Sequence, residues 1–155
     1  MKTLLTQEII DQLDACEDNF SSYPYRQLQI LFDFISSGVD AGRFSEEDAH
    51  HDLEIALRIA YSCNNIDDYE HYYMAAEWLA TVEDLAHGCG VWYYRYANAL
   101  MFCGEPEKAR DYLERGVQED PEYPWAWLTL ARLRSHFGDK AGALEANARG
   151  LALVP

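Results

Sequence analysis

Basic side chains are scarce in this chain. Twelve lysines and arginines face 27 acidic residues among 155, a formal net charge of −15. A polyanionic ligand is repelled by such a surface, which argues against nucleic acid and against anionic membranes as partners. Long apolar runs are missing too. None approaches the roughly 20 residues that cross a bilayer. The opening Met1-Lys2-Thr3-Leu4-Leu5 loses its apolar character after two leucines, unlike a secretory signal. Four cysteines (Cys16, Cys63, Cys89 and Cys103) form no C-x-x-C pair and no dense disulfide framework. Cys63 and Cys103 sit among helical apolar positions and read as small buried side chains. These absences together fit a reducing, cytoplasmic compartment. There is no glycine-rich phosphate loop and no H-E-x-x-H pair.

What is present is apolar and aromatic. Hydrophobic residues make up 49% of the chain, with eleven tyrosines and four tryptophans, enough for a packed core and too much for a disordered chain. Charge is uneven. Residues 1–89 hold four basic side chains (Lys2, Arg26, Arg43 and Arg58) against eighteen acidic ones, whereas residues 90–155 hold eight against nine.

The C-terminal part repeats itself at an offset of 34 residues. Ala97 aligns with Ala131, Gly104 with Gly138, Ala109 with Ala143, Arg115-Gly116 with Arg149-Gly150, and Pro121 with Pro155. A fixed period of this size marks a stacked repeat. Gly104 and Gly138 suit a helix end that needs positive φ. Glu105-Pro106 and Asp139 suit the start of the next helix. Ala97, Ala131, Ala109 and Ala143 fall where paired helices cross, and Gly116 and Gly150 are expected to admit the following hairpin.

The segment Trp127-x-x-Leu130-Ala131, with Gly138, Ala143 and Pro155, resembles the tetratricopeptide repeat signature. So does Tyr93-x-x-Tyr96-Ala97-x-x-Leu100, with Gly104, Ala109, Leu113 and Pro121. The resemblance implies two repeats, 90–123 and 124–155. Arg134 and Asn147 depart from it, standing where large apolar or aromatic residues are usual. Upstream, Ser45-Glu46-Glu47-Asp48 reads as a capped helix start followed by Ala49, Leu53, Ala56, Leu57 and Ala60 at helical spacing, broken at Asn64-Asn65. A helix marked by Tyr69, Tyr72, Tyr73, Ala76, Leu79 and Ala80 then runs toward Gly88. Residues 6–18 and 24–37 read as a further pair. The expectation is an all-α, right-handed α-solenoid of about eight helices in four antiparallel hairpins, with an acidic helical region 1–89 continuous with the repeats.

In this family the first helix of each unit lines a concave groove. Carried over by position, the peptide-binding face is Tyr94, Arg95, Asn98, Trp125, Leu128, Arg132 and His136, flanked by Val91, Met101 or Phe102, and Thr129. Trp92 is expected to pack toward the preceding hairpin. Asn98, Arg95 and Arg132 partly resemble a carboxylate clamp of some family members, with Tyr94 in place of the clamp's lysine. The resemblance therefore implies a protein or peptide partner, one with acidic groups. The alternative is that the N-terminal helices cover this face.

Other constellations are weaker. Asp48, His50, His51 and Asp52 form the best metal-like cluster, yet no distant His or Cys completes it, so it reads as a solvated acidic helix face. His87 and Cys89 flank Gly88 as a conceivable nucleophile pair, but such close neighbours rarely aim at each other. The reading is a non-enzymatic binding scaffold or adaptor without cofactor or metal. One rival is an acidic inhibitor or immunity-type protein covering a basic partner, whose binding would weaken steeply with salt. A second is a metal-dependent enzyme around His50 and His51. Finally, Leu144, Leu151, Leu153 and Val154 make the last helix an uncapped edge, suited to a longer array or to a second copy.

Overall fold

The computed structural model describes residues 3–18 and 23–155; Met1, Lys2 and residues 19–22 lie outside them. Among the described residues there are nine α-helices and no strand: α1 (Gln7–Cys16), α2 (Tyr23–Asp40), α3 (Glu46–His50), α4 (Leu53–Ile66), α5 (Tyr69–Ala80), α6 (Gly90–Phe102), α7 (Pro106–Glu119), α8 (Pro124–His136) and α9 (Lys140–Leu153). The fold is all-α and built from antiparallel helical hairpins. Two compact units divide at Leu85 and Ala86.

In the first unit α1 packs on α2, α2 on α4, and α4 on α5. Leu13, Leu28, Leu31, Ile55, Ile59 and Leu79 are buried between them. One buried polar chain ties three of these helices. Gln27 donates from Nε2 to the Leu13 carbonyl at 2.9 Å, and its Oε1 accepts from the Ser62 hydroxyl at 2.9 Å. Both side chains are buried, so the bonds offset what would otherwise be a desolvation cost.

The ninth helix arises from a break that periodicity alone does not show. The sequence pattern runs through residues 46–63 as one helix, but the chain turns at His51 and restarts at Leu53. Asp52 is the reason. It takes an extended backbone and caps α4 by accepting from the Ile55 N–H at 3.0 Å. The same carboxylate accepts from the Thr3 hydroxyl at 2.9 and 3.0 Å and from the Leu4 N–H at 2.6 Å. Aspartate is a poor interior residue and a good cap. Two further boundaries move. Asn64 and Asn65 lie inside α4, which ends at Ile66 against Asp67 in the left-handed region, φ 65°. Helix α5 stops at Ala80 rather than near Gly88, followed by a 3₁₀ turn, Glu83–Leu85. Tyr69 and Tyr73, read as helix markers, are exposed and stack on each other at 6.4 Å.

The second unit holds the two repeats, α6–α7 and α8–α9, with α8 packed on both α6 and α7. Gly104 and Gly138 end α6 and α8 at φ 83° and 84°, where a side chain would be strained. Past each glycine the N–H reaches back five residues: Glu105 to the Leu100 carbonyl and Asp139 to that of Arg134, both 2.9 Å. Gly116 and Gly150 act within their hairpins rather than between them. A Cβ at Gly116 would stand 2.6 Å from that of Tyr93, and one at Gly150 2.6 Å from Leu128 Cδ2. Trp92 is fully buried, and Tyr93, Tyr96 and Tyr112 of its own hairpin are among its aromatic neighbours.

Arg134, one of the two departures from the repeat pattern, is a tether. Its guanidinium donates to both carboxylate oxygens of Glu114 at 3.0 and 2.8 Å and to the Gly142 carbonyl at 3.0 Å. It thereby joins α8 to α7 and α9 with a two-pronged bond that an apolar residue there would not make. Asn147, the other departure, is exposed. On α9, Leu144 and Leu151 are exposed, and so is Val154 just beyond the helix.

The cysteines separate by environment. Cys63 is fully buried; burial, with the Asp68 charge in support, pushes its thiol up to about 12. Burial also raises the Cys16 thiol. Thiolate is the reactive form. At pH 8 a maleimide reagent is therefore expected to leave Cys63 and Cys16 unmodified in native protein and to label both after denaturation. Peptide mass mapping showing native labelling of Cys63 at the rate of the half-exposed Cys89 would contradict this burial.

Candidate peptide-binding groove

The first turn of α6 has no side-chain cap of its own. Carboxylates from the end of α7 hold it instead: Asp120 Oδ2 accepts from the Gly90 N–H of that turn, and Glu119 Oε1 from the Gly88 N–H just before it, both at 2.9 Å. Negative groups at a helix start also oppose its dipole favourably. Glu119 is bound further by the Tyr93 hydroxyl at 2.9 Å. Burial works against its ionisation, but these donors and the charges of His87 and Arg115 hold its pKa below the ordinary value. The start of α6 is thus fixed against the α7–α8 connection, and with it the side chains that follow.

Helix α6 buries Trp92, Tyr93, Tyr96, Ala97, Ala99 and Leu100. What remains at its surface is Val91, Tyr94, Arg95, Asn98 and Met101, half-buried, and Phe102, 48% exposed. Helix α8 buries Ala126, Trp127, Thr129, Leu130, Ala131 and Leu133. Its remaining stripe has Trp125, 50% exposed, then Arg132 and His136. These spacings put Trp125, Arg132 and His136 on one side of the helix.

Two expected members of the face are less exposed than the others. Thr129 is buried. Leu128 is half-buried and packs over Gly150 of α9, inside its own hairpin. One residue was missed. Tyr123, half-buried just before Pro124, sits 6.0 Å from the Tyr94 ring, and the Arg95 charge acts on its hydroxyl. Burial raises the Tyr123 pKa, with Arg95 opposing. The tyrosine-proline step at a helix start was the only signal available for it. The structure thus brings Tyr94, Arg95 and Tyr123 together at one end of α6, while Arg132 and His136 project from α8, His136 edge-on to Phe137 at 4.9 Å.

The metal-like cluster of the first unit disperses. Asp48 is spent in a capping box with Ser45, Asp52 caps α4, His51 Nε2 meets Asp84 at 2.8 Å, and His50 stacks on Trp78. Among the described residues no three His, Cys, Asp or Glu side chains converge. His87 turns to Glu119, 3.2 Å away, and Cys89 holds the cap position of α6.

The family profile described as tetratricopeptide repeat matches residues 91–133. This segment belongs to the tetratricopeptide repeat family. A curated relative, the TPR repeat-containing protein PA0015 of Pseudomonas aeruginosa, is 43% identical over 55 residues, which are 36% of this chain and 52% of the relative. The match therefore spans about half the length of that relative. Among solved structures, one titled "MamA RS-1 ArsTM double mutant" is similar with a TM-score of 0.50 at 16% identity, covering 95% of this chain and 93% of that one. The likeness is one of fold. Tetratricopeptide repeats are in general a protein-interaction scaffold, because stacked hairpins present an extended surface.

Proposed function

We propose that this protein is a non-enzymatic adaptor that captures a peptide segment on the exposed face of α6 and α8, and that the segment carries acidic groups beside an apolar anchor. The observation that carries this reading is Trp125, half exposed on a helix whose Trp127 and Leu130 are buried, with Arg132 two turns along. A large aromatic held at the surface of a rigid helix, with a guanidinium on the same face, is the combination that dominates binding energy at interfaces. Tyr94, Tyr123, Arg95 and Asn98 extend the same chemistry on and beside α6. The second unit has nearly balanced charge, so an acidic ligand is not repelled there as it is by the first. Capture rests on fit rather than long-range attraction.

The test is fluorescence anisotropy with an acidic peptide bearing one aromatic residue, against a charge-reversed control. Arg95→Ala with Arg132→Ala is expected to weaken binding on the order of tenfold or more, with helicity unchanged by circular dichroism. Normal binding by the double variant would place the site elsewhere.

A further inference from the structure

A cavity of about 330 Å³ opens where α1 meets α2. Its deeper wall is apolar: Ile30, buried, with Ile9 and Phe34, half-buried. Its exposed rim carries Arg26 and Asp33 of α2 and Arg43 of the turn that follows. The α2 residues, at 26, 30, 33 and 34, share one helical face. The turn bearing Arg43 is held in place. Its N–H donates to the Gly38 carbonyl at 2.9 Å, and the Phe44 ring packs over Gly38 and lies 5.6 Å from that of Phe34.

The two arginines are unusual in their surroundings. Residues 1–89 hold four basic side chains against eighteen acidic ones, so carboxylate partners abound. Arg58 takes two of them, Glu54 at 2.8 Å and Asp14 at 3.1 Å. Among the described residues neither Arg26 nor Arg43 meets a carboxylate, and Arg26 gives one N–H to Gln29 at 2.9 Å. Asp33, on the same rim, pairs with neither.

We infer that this cavity binds a monocarboxylate with a short apolar body, the carboxylate held by the arginines of the rim and the body laid on Ile30 and Phe34. A guanidinium offers a planar fork of N–H groups that matches a carboxylate. Two arginines and Asp33 leave a local charge of +1 at the rim, which one carboxylate neutralises. A phosphate would bring excess charge beside Asp33. The acidic unit also repels an anion from a distance, more strongly with each added charge. The volume is at the small end for ligand pockets, room for a body of a few carbons. A small acid and the free end of a peptide share this chemistry. The site is separate from the face on α6 and α8 and stands or falls without it.

Titration of the full chain with sodium hexanoate tests the assignment, followed through the Ile30 methyl and the Arg26 and Arg43 side-chain N–H resonances. Saturable shifts at all three are expected, with a dissociation constant on the order of millimolar for so small a probe. Hexanamide, the same shape without the charge, is expected to bind about fivefold more weakly. Arg26→Gln with Arg43→Gln is expected to weaken hexanoate binding about tenfold. Lys108→Gln with Lys140→Gln removes the same charge from exposed positions of the second unit and is expected to change affinity less than about twofold. Asp33→Asn is expected to tighten binding about threefold, a change of opposite sign. An acetylated tripeptide ending in leucine with a free carboxylate distinguishes the sources: binding tighter than hexanoate assigns the site to peptide ends, and weaker binding to small acids. Hexanamide binding as well as hexanoate would overturn the inference. So would equal weakening by the two double variants, or an Ile30 methyl that stays still throughout the titration. All the altered side chains are exposed, and circular dichroism verifies that the variants fold.

Discussion

Replacing Trp127 by alanine is expected to cost about 3–5 kcal/mol, the range for a large aromatic removed from a packed site. Trp127 is 6% exposed, donates from its indole N–H to the Pro121 carbonyl at 2.9 Å, and carries the Arg149 guanidinium over its ring at 4.9 Å. It therefore joins α8 to both the preceding connection and α9. For a chain of this length the loss corresponds to roughly 10 °C in melting temperature. Trp127→Phe retains most of the packing and forfeits the hydrogen bond, so it should fall between, about 1 kcal/mol from the bond alone plus some packing. A thermal melt of the alanine variant that coincides with the parent would mean that this residue does not anchor the second repeat.

Asp52→Ala is expected to be nearly as damaging, by about 2–4 kcal/mol, for a different reason. The carboxylate is buried and serves the Thr3 hydroxyl, the Leu4 N–H and the Ile55 N–H at once. Its removal uncaps α4 and strands donors that have little water to turn to. The N-terminal segment should become sensitive to limited proteolysis before the rest of the unit. Asp52→Asn, which keeps one acceptor oxygen, should recover part of the stability. Unchanged cleavage kinetics and an unchanged urea midpoint in the alanine variant would remove Asp52 from this role.

These two residues also mark how far the sequence could be read. Trp127 was legible because the second unit states its pattern twice, and glycines at matching positions close α6 and α8 in the same way. Local chemistry determined those elements, so a reader of the sequence had what the chain itself uses. Asp52 was not legible as a helix break. What fixes it is Thr3 and Leu4, nearly fifty residues away, and helical periodicity continues unbroken through the site. Arg134 shows the same limit from the other side. As a sequence departure it showed only that a large apolar side chain was missing, but Glu114 and the Gly142 carbonyl turn it into a tether. The candidate groove was read from family positions, and the geometry sorts them. Trp125, Arg132 and His136 stay at the surface, Leu128 is half-buried against Gly150, and Thr129 is buried. Tyr123 was invisible because its place depends on how the α7–α8 connection folds back on α6.

The hold of Asp52 on Thr3 and Leu4 has a consequence for how the chain reaches this structure. Those bonds close a loop of nearly fifty residues, and the contact of α2 with α4 spans the acidic stretch between them. Closing such loops must precede any reward from the contacts they bring. The two repeats ask for far less, since each helix meets the next one along after a short turn. The second unit can therefore assemble by nearest-neighbour steps, whereas the first must wait for its N-terminal segment to meet the start of α4. Synthesis on the ribosome delivers them in the opposite order, with the slow unit emerging first. Its abundant like charges keep that waiting segment apart from other chains until its partner residues arrive.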